Sequence, residues 1–252
     1  MANSYFQFQQ FRIEQGNCAQ KVSTDACILG ATADLAGAIR VLDIGTGTGL
    51  LALMAAQRAP AAHIEALELD TAAAAQAAHN VAASPWAARV TVHPLSLAAY
   101  AASQPIALAG AGQHFSHIIC NPPFFRRSLA PPDTARATAR HAGETSLTFE
   151  AISGFAAAYL RPGGTLTVLL PPPEMAEFAE AARASGLAVQ ARLAVRHRPD
   201  GRVTRGVWQF GQQAPGEVAE RELVIKSEDG LAYSTDFRSL LADFYLEFAT
   251  AG

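Results

Sequence analysis

Asp43-Ile44-Gly45-Thr46-Gly47-Thr48-Gly49 lies between a short apolar run, Arg40 to Ile44, and the apolar segment Leu50 to Arg58, which stops near Pro60. The first run has the length of a buried strand and the second that of a helix, so the glycines sit at a strand-to-helix turn. The same alternation continues on both sides. A first helix closes at Asp34 to Ala38. His63 to Leu67 reads as a strand, Ala72 to Ala83 as a helix that Thr71 can cap, and Val90 to His93 as a strand after the Ser84-Pro85-Trp86 break. Phe115 to Cys120 is a fourth strand of this series. Phe149 to Leu160 is then helical, Thr165 to Leu170 extended, and Glu174 to Ser185 a helix ending at Gly186. Leu187 to Val195 and Gly206 to Phe210 read as an antiparallel pair joined through Pro199-Asp200-Gly201. The expectation is an α/β fold: a seven-stranded, mostly parallel sheet with helices on both faces and an antiparallel hairpin at one edge. Leu223 to Ile225 is a candidate extra edge strand, and Thr235 to Phe248 a last amphipathic helix.

A chain of 252 residues, 50% hydrophobic and 16% charged, can bury a full-sized core and is not a disordered polymer. No internal repeat or linker divides it, so residues 1–252 are expected to form one domain. The formal charge of −3 excludes coating of nucleic acid by bulk charge, while leaving local cationic patches open. Cys18, Cys27 and Cys120 form no CxxC pair, which argues against a disulfide framework or a zinc ribbon and for a reduced, cytoplasmic protein. Met1 to Phe11 lacks the cationic start and apolar stretch of a secretory signal. Apolar runs such as Thr165 to Leu170 are too short to cross a bilayer. No membrane, metal or obligate protein partner is expected.

The spacing of the glycine loop narrows its ligand. A dinucleotide fingerprint places glycines as G-x-G-x-x-G, whereas here they fall at every second residue behind an acid, and no Gly-Lys-Ser/Thr follows. Such a loop suits a cofactor without phosphates, whose amino-acid end and ribose need close backbone approach and carboxylate acceptors; S-adenosylmethionine is of that kind. Glu68 follows the next strand, twenty-three residues after Gly45, where a carboxylate can accept both hydroxyls of a ribose. The plainer alternative is a tight turn with a solvated acid.

Asn121-Pro122-Pro123-Phe124 directly follows Phe115 to Cys120 and so falls at the same sheet edge. Paired prolines stiffen the backbone and leave the Asn121 side-chain oxygen and the Pro122 carbonyl as two acceptors for one planar NH2 group. An exocyclic amine is a poor nucleophile because its lone pair is delocalised into the ring. Two acceptors out of its plane favour a pyramidal nitrogen and turn that lone pair toward a methyl sulfonium, with no covalent nucleophile needed. Phe124 supplies a stacking face, a contact worth about 1–3 kcal/mol in single-stranded recognition. The plainer alternative is a buried strand end with a Pro-Pro turn and a core phenylalanine.

These motifs resemble class I, Rossmann-like S-adenosylmethionine-dependent methyltransferases of the N6-adenine type, whose fourth motif is Asn/Asp-Pro-Pro-aromatic. Phe8-Gln9-Gln10-Phe11, Cys18 to Asp25, Leu50 to Arg58 and Ser84-Pro85-Trp86-Ala87 extend the likeness to nearly the whole chain, toward the bacterial tRNA1(Val) adenosine-37 N6-methyltransferases. The resemblance implies that Lys21, Thr24 and Asp25 border the methionine end of S-adenosylmethionine, that Asp43, Gly45 and Gly47 hold its middle, and that Glu68 and Leu69 meet its ribose side. It implies that Asn121, Pro122 and Phe124 hold the target adenine, and that residues 1–38, a hairpin and a helix, cover the cofactor site on a core of residues 39–252. Two departures stand out. The family usually has Tyr at Phe124, and an acid for the adenine amine of the cofactor where this chain has Ser96.

Arg126, Arg127, Arg136 and Arg140 fall in the aperiodic stretch Arg126 to Thr145, read as a mobile surface loop. Arg192, Arg196, Arg198, Arg202 and Arg205 surround the expected hairpin. Only Asp133 and Asp200 interrupt these runs, so both segments are cationic on an acidic protein and suit the phosphates of a tRNA, with Arg126, Arg127, Arg196, Arg198, Arg202 and Arg205 as candidate contacts. Solvated surface arginines are the plainer alternative. His114 and His117 lack metal-site spacing. Cys120 precedes Asn-Pro-Pro and reads as a buried strand residue. Tyr5, Phe6, Phe8 and Phe11 read as hairpin packing, and Ser146 and Thr148 as helix caps. Guanine-N2 and protein-glutamine methyltransferases share the tetrapeptide, but typically carry a duplicated domain or a helical domain ahead of the glycine loop. A non-catalytic RNA-binding protein on the same fold is the rival of a different class.

Overall fold

The computed structural model describes residues 3–16, 18, 21–104, 114–123 and 147–249. Strands β1 (Tyr5–Gln7) and β2 (Arg12–Glu14) form an antiparallel hairpin, followed by α1 (Thr24–Thr32). The main unit then runs β3 (Arg40–Ile44), α2 (Leu50–Arg58), β4 (His63–Leu67), α3 (Thr71–Ala82), β5 (Val90–His93), α4 (Leu97–Ser103) and β6 (Phe115–Cys120). It continues with α5 (Phe149–Tyr159), β7 (Leu160–Leu170), α6 (Pro172–Ala184), β8 (Ala188–Arg196), β9 (Val203–Gly211), β10 (Ala219–Val224) and α7 (Thr235–Leu240). Among the described residues the main sheet has eight strands in the order β10-β8-β9-β7-β6-β3-β4-β5, parallel except at β9. The eighth is β10, which extends the expected Leu223–Ile225 edge into a six-residue strand parallel to β8.

Strand direction in sequence reverses between β3 and β6: β3, β4 and β5 step one way across the sheet, and β6 and β7 the other. That switch point is where a doubly wound sheet opens a crevice at its carboxyl edge. Two cores flank the sheet. Val41, Ile64, Ala66, Val90 and Ile119 face α1 and α2, while Leu42, Ile44, Ile118, Leu166 and Val168 face α5 and α6. Burial on both faces explains why these strands read as continuous apolar runs rather than alternating ones.

Some boundaries differ from the sequence reading for identifiable reasons. Asp70, not Thr71, caps α3, its carboxylate accepting from Ala73 N at 2.8 Å. The first helix ends at Thr32 rather than near Ala38: the Arg58 guanidinium takes the carbonyls of Gly30 and Ala33, and Asp34 to Ala38 close in turns through Gly37 at φ 63°. β7 begins at Leu160, before Pro162-Gly163-Gly164, because Leu160 pairs with Phe115 ahead of a register shift. A Cβ at Gly164 would lie 2.9–3.0 Å from the carbonyl oxygens of Arg161, Phe115 and Ser116, so only glycine fits that bend. The helix expected over Thr235 to Phe248 stops at Leu240. There the backbone turns outward so that Phe244 O accepts from Gln9 N and Tyr245 bridges Phe8, which ties the C-terminal segment to the N-terminal hairpin. The short helix α4 went unread.

Two three-residue strands do not make a stable hairpin alone. Here Phe8, Phe11 and Ile13 are buried in the main core, each worth roughly 1.5–3 kcal/mol. Phe8 stacks on Phe11, and Trp86 meets Phe11 edge-on. Arg89 performs a similar service for α2. Its guanidinium donates to the carbonyls of Ala56, Ala59 and Ala62 at 2.8, 3.1 and 2.7 Å, satisfying acceptors that the helix end leaves open. Arg89→Met should therefore lower the unfolding free energy by about 2–3 kcal/mol. Arg183→Met, which breaks an exposed i,i+3 pair with Glu180, should cost under about 1 kcal/mol. Urea titration of the two variants checks the ordering; equal losses would remove Arg89 from this role.

Candidate functional site

The register aligns three chain segments at the carboxyl edge of the sheet. Ile44 of β3 pairs with Leu67 of β4 on one side and with Cys120 of β6 on the other. Gly45, Glu68 and Asn121, which follow these residues, therefore leave neighbouring strands at the same level, on strands roughly 5 Å apart.

The glycine loop is bent by its own sequence. Gly45, Gly47 and Gly49 have φ of 72°, 57° and 85°, a region costly for residues with a Cβ. Gly45 N and Thr46 N both donate to Leu67 O at 2.9 Å, which folds the loop back over the end of β4. A Cβ at Gly47 would come within 3.7 Å of Cys18 Sγ, so the segment after β2 crosses this part of the loop. Asp43 is 1% exposed. Its Oδ2 accepts from Thr46 Oγ1 at 2.5 Å and from Ala52 N at 3.1 Å, while Oδ1 is buried with no hydrogen-bond partner among the described residues. Burial pushes this carboxyl up to about 7; the bonds from Thr46 and Ala52 pull it back, and nearby Glu68 adds to the rise.

Glu68 stands at the end of β4 with Oε2 accepting from Gly47 N and Oε1 from Asp70 N, both at 2.9 Å. Each oxygen retains acceptor capacity. Leu69 beside it is 48% exposed. Ser96 follows β5, where its hydroxyl caps α4 through Ala99 N at 3.1 Å and keeps its proton for another acceptor. Asn121 is half-buried at the end of β6, Pro122 buried and Pro123 exposed. Cys120 beneath them donates its thiol to Ile44 O at 3.3 Å, and burial raises its pKa well above the ordinary range, as expected for packing rather than nucleophilic attack.

The Methyltransferase small domain family matches residues 18–173, which contain this whole edge. A relative from Dyadobacter fermentans, named tRNA1(Val) (adenine(37)-N6)-methyltransferase, is 38% identical over 98% of this chain and 99% of its own length. One from Serratia proteamaculans with the same name is 43% identical over 96% of this chain and 89% of its own. The chain belongs to the tRNA1(Val) (adenine(37)-N6)-methyltransferase family. A solved structure from Agrobacterium tumefaciens, described as a predicted O-methyltransferase, superposes with a TM-score of 0.62 at 22% identity over 86% of this chain and 95% of that one, which bears out the class I fold.

This methyltransferase uses S-adenosylmethionine, and the edge fits that cofactor. Asp43 Oδ1 has no donor among the described residues, Gly45 and Gly47 bring backbone without side chains to the edge, and Glu68 presents a carboxylate fixed by two backbone amides. Lys21 and Thr24 are exposed at the entry to α1. Asp25 is held by Arg205 across 2.7 Å, so these two predicted site residues meet each other. Arg196 also has internal partners, the Gly201 carbonyl and Glu222 at 2.9 Å. Arg198 and Arg202 are exposed at the β8–β9 turn, which lies at the same carboxyl edge as Asn121 because β8 runs parallel to β7. Phe124, Arg126, Arg127, Arg136 and Arg140, with the rest of the expected loop, lie outside the described residues. Among the described residues no cluster of His, Cys, Asp and Glu could hold a metal, and no helix is long and apolar enough to cross a membrane.

Sequence reasoning missed Asn80 and Thr46. Asn80 was findable: Gln76 and Asn80 are i,i+4 polar residues in an alanine-rich helix, and both are buried.

The raised Asp43 pKa has a consequence for stability. Between about pH 4 and 7 the folded, cofactor-free methyltransferase keeps a proton there that the unfolded chain has released. The stabilisation is full at the acidic end and is lost as pH rises through 7, with a slope of up to about 1.4 kcal/mol per pH unit. The difference between wild-type and Asp43→Asn unfolding free energies, followed by urea titration from pH 4.5 to 8, should show that slope; parallel profiles would contradict it.

Proposed function

We propose that this methyltransferase transfers a methyl group to N6 of adenosine 37 in tRNA1(Val), in the cytoplasm. The observation that carries the reading is the Asn121-Pro122 turn at the end of β6, beside the glycine loop at the end of β3, in a chain akin over nearly its full length to relatives of that name.

Asp43, Gly45 and Gly47 hold the cofactor with Glu68 and Leu69 on its ribose side, Lys21, Thr24 and Asp25 at its methionine end, and Ser96 at its adenine. When bound, S-adenosylmethionine supplies a sulfonium-activated methyl group. Residues 1–38 cover this site, a reading supported by the approach of Cys18 to Gly47. Asn121 Oδ1 and the Pro122 carbonyl accept hydrogen bonds from the two N–H groups of the adenine amine and orient its lone pair, while Phe124 stacks on the ring. Arg198 and Arg202 at the β8–β9 turn, with Arg126 and Arg127, take tRNA phosphates. Arg196 and Arg205 support that rim through Glu222 and Asp25.

Incubation with labelled cofactor and separate pools of tRNA, rRNA, DNA and protein, followed by nucleoside and amino-acid analysis, should give N6-methyladenosine in tRNA alone. Label in guanosine or glutamine would replace the reading. Asn121→Ala should lower kcat by about 100-fold or more while the cofactor Kd changes little; full turnover in that variant would remove Asn121 from the chemistry.

Filter binding of tRNA against salt tests the docking edge. Arg198→Ala with Arg202→Ala should reduce the log–log slope by about 1 per arginine. An unchanged slope would place the RNA elsewhere.

A further inference from the structure

Asn80 sits on α3, outside the residues assigned to cofactor or substrate, yet it is 1% exposed and bonded to two separate parts of the chain. Its Oδ1 accepts from Glu14 N at 3.0 Å, and its Nδ2 donates to Glu14 O at 2.8 Å and to Thr48 O at 2.9 Å. Both amide hydrogens and the carbonyl are used, and the partners fix which end is which. Glu14 ends β2, and Thr48 lies in the glycine loop. The Thr48 carbonyl is the acceptor that Ala52 N would take if α2 began one residue earlier. Ala52 N goes to Asp43 instead, so Asn80 supplies the donor that the helix withholds. Ala77, one turn before Asn80, packs where a Cβ at Gly49 would meet it at 3.4 Å, so α3 is the wall against which the loop rests.

We propose that Asn80 is a positioning residue that couples the N-terminal hairpin to the glycine loop, so that cofactor binding at the loop also fixes the hairpin. The inference rests on the reading of that loop as the cofactor site. The physical basis is that one buried amide serves both segments: displacing Thr48 from its bond leaves an N–H unpaired in the core and loosens Glu14, whose N–H and C=O depend on the same group. A loop ordered by a ligand holds the amide in place, and the amide holds β2. The hairpin in turn leads into the segment that crosses Gly47 at Cys18 and ends in the Ser23-capped start of α1.

Hydrogen exchange with S-adenosylhomocysteine as the probe tests the coupling in the wild-type chain. The amides of residues 45–49 and the amide of Glu14 should both slow on ligand addition, Glu14 by about tenfold, a typical coupling between sites. Asn80→Asp keeps the shape but faces two carbonyls with a carboxylate. It should abolish the ligand-dependent protection of Glu14 and raise the Kd for S-adenosylhomocysteine by about tenfold, leaving kcat at saturating cofactor within about threefold. Protection at residues 45–49 with none at Glu14 in the wild-type protein overturns the coupling and leaves the cofactor site standing, whether or not the variant folds. Ligand binding without protection of residues 45–49 overturns the site reading itself.

Discussion

The first turn of α2 is completed by side chains from elsewhere in the chain. Ala52 N–H is taken by Asp43, one residue from the end of β3, and the Thr48 carbonyl by Asn80 of α3. Between these anchors the loop has three glycines at positive φ, a conformation it could not keep by local hydrogen bonding alone. The arrangement presents Gly45 and Gly47 at the carboxyl edge without side chains, at the cost of a carboxyl group buried with one oxygen lacking a donor among the described residues. A protein that only needed a strand-to-helix turn would have no use for that oxygen. Storing an unfavourable group beside a cradle is the usual mark of a site that a ligand completes.

Register converts this local feature into a constellation. Because Ile44, Leu67 and Cys120 are paired across adjacent parallel strands, the loop, the Glu68 carboxylate and the Asn121-Pro122 turn are brought together by sheet geometry, with no need for long flexible segments. A one-residue slip of β6 would send Asn121 to the opposite face and bury its amide in the α5–α6 core. Burial on both faces of β3 and β6 makes such a slip expensive. The packing that stabilises the fold is thus also what fixes the spacing between the glycine loop, Glu68 and Asn121.

The central strands were legible almost to the residue, since 40–44, 63–67, 90–93 and 115–120 combine apolar runs with clear breakers at each end. Ends decided by tertiary partners were not. Arg58 ends α1 from a different helix, the hairpin contact of Tyr245 ends the C-terminal helix, and the Leu160–Phe115 pair starts β7 ahead of a Pro-Gly-Gly that reads as a turn. At the site, the glycines and acids at strand ends carry their chemistry in their spacing. Asn80 carries its role in a burial that composition only hints at. The Arg205–Asp25 pair joins residues 180 positions apart, and no local pattern encodes it.

The arginines show how topology edits a charge pattern. In sequence, Arg192, Arg196, Arg198, Arg202 and Arg205 form one cationic run. In the fold, β10 lies parallel to β8 and sets Glu220 opposite Arg192, where they pair at 3.0 Å, while Glu222 reaches Arg196. Asp25 takes Arg205. The residues neutralised are those within the sheet or against α1; those left exposed, Arg198 and Arg202, are at the tip, where the antiparallel turn projects past the carboxyl edge. An acidic chain needs no broad positive surface to receive a polyanion if a few exposed cations stand at the rim of the crevice, although Asp229 lies close enough to Arg198 to share its charge. On the proposed reading, phosphate contacts made there would set position and orientation and leave the Asn121-Pro122 acceptors to discriminate the base.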